Sequence, residues 1–158
     1  MDILVTYRPV QQEDKEEILS LFPDLADFKL PIQRIAKHLW EGDAELLSSI
    51  LEKRSTVTFA DVAVHRDGTL LGVIMVTLRE ELLSHAPSAH LETIIVAPQA
   101  RGKGLGSRLL ERAEQRAIAL GAKSLTLHVF SNNIRARSLY KKHGYDEELL
   151  RCIKWFDS

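Results

Sequence analysis

The order of elements predicts a mixed α/β chain. Two observations carry this expectation. Residues 57–78 read as an antiparallel hairpin around Asp67-Gly68, and residues 90–130 read as a strand, a long helix and a second strand. A strand–helix–strand crossover makes its two strands parallel neighbours or near neighbours. With no internal repeat and no Ser/Gly-rich linker, one domain over residues 1–158 is the simplest organisation.

Ile3 to Arg8 is short and β-branched and stops at Pro9, which suits a first strand. Glu13 to Phe22 carries Ile18, Leu19, Leu21 and Phe22 behind an acidic start, a helix that Pro23 should end. A second helical region is expected over Leu30 to Arg54, interrupted near Gly42-Asp43, with Ile35, Leu39, Leu46, Leu47, Ile50 and Leu51 at helical spacing. Asp67-Gly68 is a strong short-range hairpin signal between the strands Val57–His65 and Leu70–Leu78. Glu80 to Ala89 reads as a polar loop, and His90 to Val96 as a strand closed by Pro98. Leu105, Leu109, Leu110, Ala113, Ala117 and Leu120 form one apolar stripe that Gly121 is placed to terminate. Leu125 to Phe130 alternates as a strand, Asn133 to His143 is a last helix, and Tyr145 to Phe156 is expected to contain a closing strand.

Composition excludes several classes. The chain is 45% apolar and carries 21 basic against 22 acidic residues, a net charge of −1. That balance exerts no global pull toward nucleic acid or an anionic membrane surface. No apolar run approaches the ~18 residues of a membrane span. The start has no basic and long apolar signal segment, so a cytoplasmic protein is expected. Cys152 is the only cysteine; it has no ligand partner at metal spacing, and it reads as a packing residue of the closing strand. No metal site is expected.

The chemistry is expected in the connection Arg101-Gly102-Lys103-Gly104-Leu105-Gly106-Ser107. A glycine-rich turn entering a helix exposes backbone N–H groups that no helical carbonyl reaches. Those donors and the helix dipole suit an anion such as phosphate, and glycine lets the backbone come close to it. A Walker loop would need Gly followed by Lys-Ser or Lys-Thr, which is absent. A dinucleotide fingerprint fails because its last glycine position is Ser107.

Arg101-x-x-Gly104-x-Gly106 resembles the (Gln/Arg)-x-x-Gly-x-(Gly/Ala) signature of the GCN5-related N-acetyltransferase (GNAT) family. His90-Leu91-Glu92-Thr93-Ile94-Ile95-Val96-Ala97-Pro98 looks like that family's fourth strand and its exit. Asn133-x-x-Ala136-x-x-x-Tyr140-x-x-x-Gly144-Tyr145 is similar to a later family segment. The resemblance is strong over residues 57–150. It implies a mostly antiparallel sheet whose fourth and fifth strands are parallel and splay apart, with acetyl-CoA as cosubstrate in the gap. Carried over, Ile94, Ile95 and Val96 would meet the pantetheine arm. Arg101, Gly102, Lys103, Gly104, Leu105, Gly106 and Ser107 would meet the pyrophosphate. Asn133 would cap a helix and bond the cofactor arm.

The same resemblance makes Glu92 the general base and Tyr140 the group that serves the departing thiolate; His90, on the same strand face as Glu92 by alternation, is the alternative base. The implied activity is acetyl transfer from acetyl-CoA to a primary amine by direct attack in a ternary complex. The alternative is a non-catalytic acyl-CoA sensor on the same fold. Segments 22–45 and 79–90 are expected to form the acceptor pocket, where Asp24, Asp27, Glu41, Asp43, Glu80 and Glu81 would suit a cationic amine. The acceptor is a small-molecule or protein amine. Trp155 and Phe156 fit either the core or a homodimer interface.

Overall fold

The computed structural model describes residues 4–156. Strands β1 (Val5–Pro9), β2 (Thr58–His65), β3 (Leu70–Glu80), β4 (Pro87–Val96) and β5 (Leu125–Leu127) form one sheet in that spatial order. The first three pairings are antiparallel, and β4–β5 is parallel. Helices α1 (Lys15–Leu21), α2 (Glu41–Leu51), α3 (Leu105–Ala119) and α4 (Ile134–Lys142) flank it. The expected mixed architecture with a parallel pair is therefore present. Of the first strand as expected, Ile3 lies outside the described residues.

The core sits between the sheet and its helices. Ile18 and Phe22 from the α1 region, Leu47 from α2, Val62, Val73, Ile74 and Met75 from the sheet, and Leu109 and Leu110 from α3 are fully buried. Leu105, Leu109, Leu110, Ala113 and Ala117 are the buried face of α3, whereas Leu120, the last residue of the expected stripe, lies past the helix end and is exposed. Asp61 of β2 is also buried, and it accepts hydrogen bonds from Arg112 and Arg116 of α3. A buried carboxylate needs such partners. These contacts fix how α3 lies on the sheet, and therefore where its N-terminus points.

Gly72 contributes to the same placement. A Cβ there would lie 2.8 Å from the Ile95 carbonyl oxygen and 2.8 Å from Leu109 Cδ1. Gly72→Ala is expected to destabilise the protein by about 2 kcal/mol through overpacking, read as a fall in the urea midpoint. An unchanged midpoint would show that α3 shifts without penalty.

Several expectations change. The helix ended by Pro23 instead stops at Leu21 and tightens into a 3-10 turn over Phe22–Ala26, which admits Pro23 in its first turn. The second helical region breaks at Trp40, not at Gly42-Asp43. A 3-10 turn over Ala36–Leu39 precedes α2, and Gly42 and Asp43 lie in the first turn of α2. Ile35 is exposed as a result. Strand β4 begins at Pro87, so the preceding loop is shorter than expected. The closing strand does not form among the described residues. Residues 146–156 form no helix or strand and are exposed, and Cys152, Trp155 and Phe156 are at the surface rather than in the core. A strand pattern alone does not supply the neighbour that a strand needs.

Candidate active site

Strands β4 and β5 share only three register pairs, Ala89 with Leu125, His90 with Thr126 and Leu91 with Leu127. Beyond Leu91 the β5-side edge of β4 has no strand partner among the described residues, and a cleft of about 400 Å³ opens there. Glu92 sits where the gap begins. In the β3–β4 register, Thr93 opposes Met75 and Leu91 opposes Val76, so Glu92 is the extra residue of a bulge. Bulges re-aim side chains and bend a strand.

At the other end of the cleft, the glycine turn enters α3. Gly102 and Gly104 have φ of +79° and +81°, which a side-chain-bearing residue adopts only with strain. Gly104 occupies the N-cap without a side-chain cap, and the first backbone bond back to it comes from Arg108 N–H. Among the described residues, the N–H groups of Leu105, Gly106 and Ser107 have no protein acceptor. They are free for an anion, with the helix dipole behind them. Gly106 serves packing instead: a Cβ there would touch Leu139 of α4 at 3.5 Å and Val96 of β4 at 3.8 Å.

The cleft is lined by every residue expected at the site except Lys103: Glu92, Ile94, Ile95, Val96, Arg101, Gly102, Gly104, Leu105, Gly106, Ser107, Asn133 and Tyr140. Arg101 folds back, donating from Nε to the Val96 carbonyl at 3.3 Å and from its guanidinium to Asp27 at 3.0 Å. The Asp27 carboxyl is held below its ordinary value by Arg101, so Asp27 serves the turn rather than an acceptor. The Ser107 hydroxyl lies 2.9 Å from His143 Nε2. Asn133 caps α4, its side-chain oxygen accepting from Ala136 N–H at 3.3 Å. Arg135 lines the cleft, whereas Arg137 binds Glu147 and the Ser131 carbonyl.

Tyr140 is buried on α4, and no hydrogen bond to its phenol contributes to its pKa shift. Burial pushes its pKa up to about 12, so the phenol keeps its proton throughout the physiological range. The Tyr145 ring packs edge-on against it at 6.0 Å and bonds Glu114 through its own hydroxyl.

His90 is buried, with Nδ1 2.7 Å from the Thr126 hydroxyl and Nε2 3.9 Å from Glu92. Burial, reinforced by Arg79, lowers its pKa to about 4. The imidazole is therefore neutral at pH 7, and its contact with Glu92 is a polar approach rather than an ion pair.

Two residues of the cleft wall were hidden in the sequence. Asp43 stood there only as one acid among several, and Thr93 had no role. Asp43 enters from the first turn of α2. Burial raises its pKa to about 6, and the Glu92 charge adds to the rise. The buried Thr93 hydroxyl opposes that rise yet finds no hydrogen bond of good geometry. His128 also reaches the cleft, its ring 4.8 Å from that of His90 and tilted by 58°. In contrast, residues 79–90 do not line the cleft. Glu81 caps its own loop through Leu83 and Ser84, and Glu41 pairs with Lys37. The wall between α2 and β4 thus carries Asp43 and Glu92 with no Lys or Arg paired to either among the described residues.

Residues 20–145 match the model of the acetyltransferase (GNAT) family. The chain belongs to the GNAT family of acetyltransferases. An uncharacterized N-acetyltransferase of Bacillus subtilis, YhfO, is 31% identical over 141 residues, 89% of each chain. A structure from Pyrococcus furiosus, provisionally assigned as an acetyl transferase, superposes with a TM-score of 0.78 at 27% identity, covering 96% of this chain and 99% of that one. The aminoglycoside acetyltransferase AAC(6')-Iy, bound to the bisubstrate analog CoA-S-monomethyl-acetylneamine, has the same fold, with a TM-score of 0.70 at 19% identity over 98% of both chains. In this GNAT chain no helix among the described residues is long and apolar enough to cross a membrane.

Proposed function

We propose that the whole chain acts as one N-acetyltransferase domain that moves an acetyl group from acetyl-CoA to an amine in a ternary complex. The observation that carries this reading is the continuous cleft, open along unpaired β4 at one end and ending on three free N–H groups at the other. Those two ends fit an amide-bearing arm and a pyrophosphate, respectively. The acyl thioester supplies the electrophile. Ile94, Ile95 and Val96 hold the arm through backbone groups, and residues 101–107 hold the phosphates. Lys103 contributes charge at the rim, and Asn133 bonds the arm beside its capping role.

Glu92 removes the amine proton, directly or through a water. Its bulge position aims it at the gap. Tyr140 donates its hydroxyl proton, or a hydrogen bond, to the departing sulfur; burial keeps the phenol protonated and so available as a donor. His90 fits the base role less well, because it is buried, absent from the cleft lining and bonded to Thr126. Alignment of amine and thioester supplies up to ~7–11 kcal/mol of the barrier reduction.

The uncompensated pair Asp43 and Glu92 favours an acceptor with a second cationic group, such as a diamine. AAC(6')-Iy, whose bisubstrate analog carries an acetylated neamine, is the comparison that suits this. Asp43 gains its charge as pH rises through about 6. The KM for a diamine should therefore rise as pH falls from about 7 to 5. Asp43→Asn should flatten that profile and raise KM roughly tenfold at neutral pH, with a simple monoamine little affected. The linkage has the opposite sign for folding. The native state holds a proton that the unfolded chain releases between pH 3.8 and about 6, so this group's contribution to stability falls as pH rises through that window. Asp43→Asn should thus gain stability relative to wild type at pH 7 compared with pH 4, on the order of 2 kcal/mol.

The test is calorimetric titration with acetyl-CoA, with ATP and NAD as controls, followed by CoA release in the presence of amines. Saturable binding of acetyl-CoA alone supports the cofactor. Binding without release on any amine would favour the sensor alternative, and no binding would end the reading.

A further inference from the structure

His90 is a buried titratable side chain that acetyl transfer, with Glu92 as the base, leaves without a task. The β4–β5 register sets it beside Thr126, and its Nδ1 lies 2.7 Å from the Thr126 hydroxyl oxygen. That hydroxyl donates in turn to the Ala89 carbonyl, at 3.4 Å. A threonine hydroxyl has one proton. Directed at Ala89, it leaves the oxygen to accept from an Nδ1–H of His90. A neutral imidazole with its proton on Nδ1 has a bare Nε2.

The bare nitrogen faces Glu92. Nε2 stands 3.9 Å from Glu92 Oε1. An Nε2–H aimed at a carboxylate would close to about 2.8 Å. The gap is therefore the spacing of two acceptors, not of a donor and an acceptor. Other titratable groups face this pair. Arg79 of β3 and His128 beyond β5 oppose a charge on His90, whereas the Glu92 carboxylate favours one. Burial outweighs the carboxylate, so the imidazole stays neutral. Asp43 of α2 feels the Glu92 charge, and Tyr140 of α4 lines the same cleft. The Glu92 side chain is 24% exposed against 6% for His90, so an amine reaches the carboxylate first.

We propose that Thr126 and His90 are positioning residues for Glu92: Thr126 holds the imidazole with its proton on Nδ1, and the bare Nε2 receives a hydrogen bond from Glu92 once that carboxylate has taken the amine proton. The proposal rests on Glu92 acting as the base of acetyl transfer. In that step the amine N–H breaks as the Glu92 O–H forms, and the new O–H turns toward Nε2. His90 gains a hydrogen bond and no proton, and the proton later leaves Glu92 for solvent. Only the protonated carboxyl makes this bond, so the bond strengthens Glu92 as a proton acceptor.

The pH profile of kcat/KM, read as CoA release with one amine for all variants, tests this. The amine's own titration is then common to every curve. His90→Ala should move the acid limb to lower pH by about one unit and lower the plateau by about three- to tenfold. Thr126→Val keeps the side-chain shape but lets the imidazole proton settle on Nε2, where it donates to the ionised carboxylate. The limb should move the same way. Thr126→Ser should restore the wild-type profile. Lost packing alone would lower activity without moving the limb, so turnover with an unmoved limb overturns the proposal and leaves acetyl transfer intact. If His90→Ala does not fold, Thr126→Val carries the test. A second measurement needs no turnover. Nitrogen-15 NMR should place the wild-type His90 proton on Nδ1 between about pH 6 and 8, and on Nε2 in Thr126→Val. A wild-type proton on Nε2 overturns the proposal whatever the activity. The expected tautomer without turnover on any amine would instead end the acetyl-transfer reading, and the pair would have no base to serve.

Discussion

Gly104→Glu is expected to weaken acetyl-CoA binding by at least about 100-fold, close to 3 kcal/mol. Two effects add. Gly104 has a φ of +81°, and a side-chain-bearing residue pays ~1–2 kcal/mol there. The carboxylate then stands at the N-terminus of α3, in front of the N–H groups of Leu105, Gly106 and Ser107, and repels the phosphates those groups would bind. Space is not the issue, because a Cβ at Gly104 meets nothing within 4 Å. Gly104→Ala therefore separates the two causes. It should carry the conformational part alone, a loss of roughly 5- to 30-fold. Calorimetry on both variants reads the difference, and equal losses would remove the electrostatic account of the turn.

Tyr140→Phe should lower kcat by about 100-fold or more while the KM for acetyl-CoA stays within about twofold. Phe keeps the buried ring and its edge-on contact with Tyr145, so the variant should fold with little change in stability. The pKa near 12 adds a second readout: the phenol stays protonated well above pH 9, and a loss of wild-type activity between pH 8 and 10 would have to arise from another group. Unchanged turnover in Tyr140→Phe would assign this side chain to packing against Tyr145 and leave the thiolate to depart unaided. Glu92→Gln is the companion variant. It should depress kcat at neutral pH, with recovery as higher pH delivers more unprotonated amine.

Much of the site was legible because its signals are local. The glycines at 102 and 104 announce positive φ and close backbone approach, and both have it. The stripe from Leu105 to Ala117 announces a helix with one buried face, and those residues are buried. Asn133 announces an N-cap three residues before the N–H it accepts. The bulge at Glu92 was not legible, because a bulge is a property of the register between β3 and β4. Asp43 was one acid among six until α2 placed it on the wall facing Thr93 and Glu92. Asp27, in the same group, went to Arg101 instead. The closing strand failed for a related reason. Residues 146–156 alternate as a strand does, but alternation states only which faces are apolar and not which edge supplies the hydrogen bonds.

By itself, then, the amino-acid sequence determined the elements whose energetics are settled within a few residues: the hairpin turn at Asp67-Gly68, the glycine turn, the apolar stripe of α3 and the cap of α4. Only the tertiary structure decided where β4 and β5 part, that Glu92 is aimed into the gap, that Asp43 shares it and that residues 146–156 join no strand. Those outcomes depend on burial and on hydrogen-bond partners contributed by segments far apart in the chain, and no local pattern carries that information.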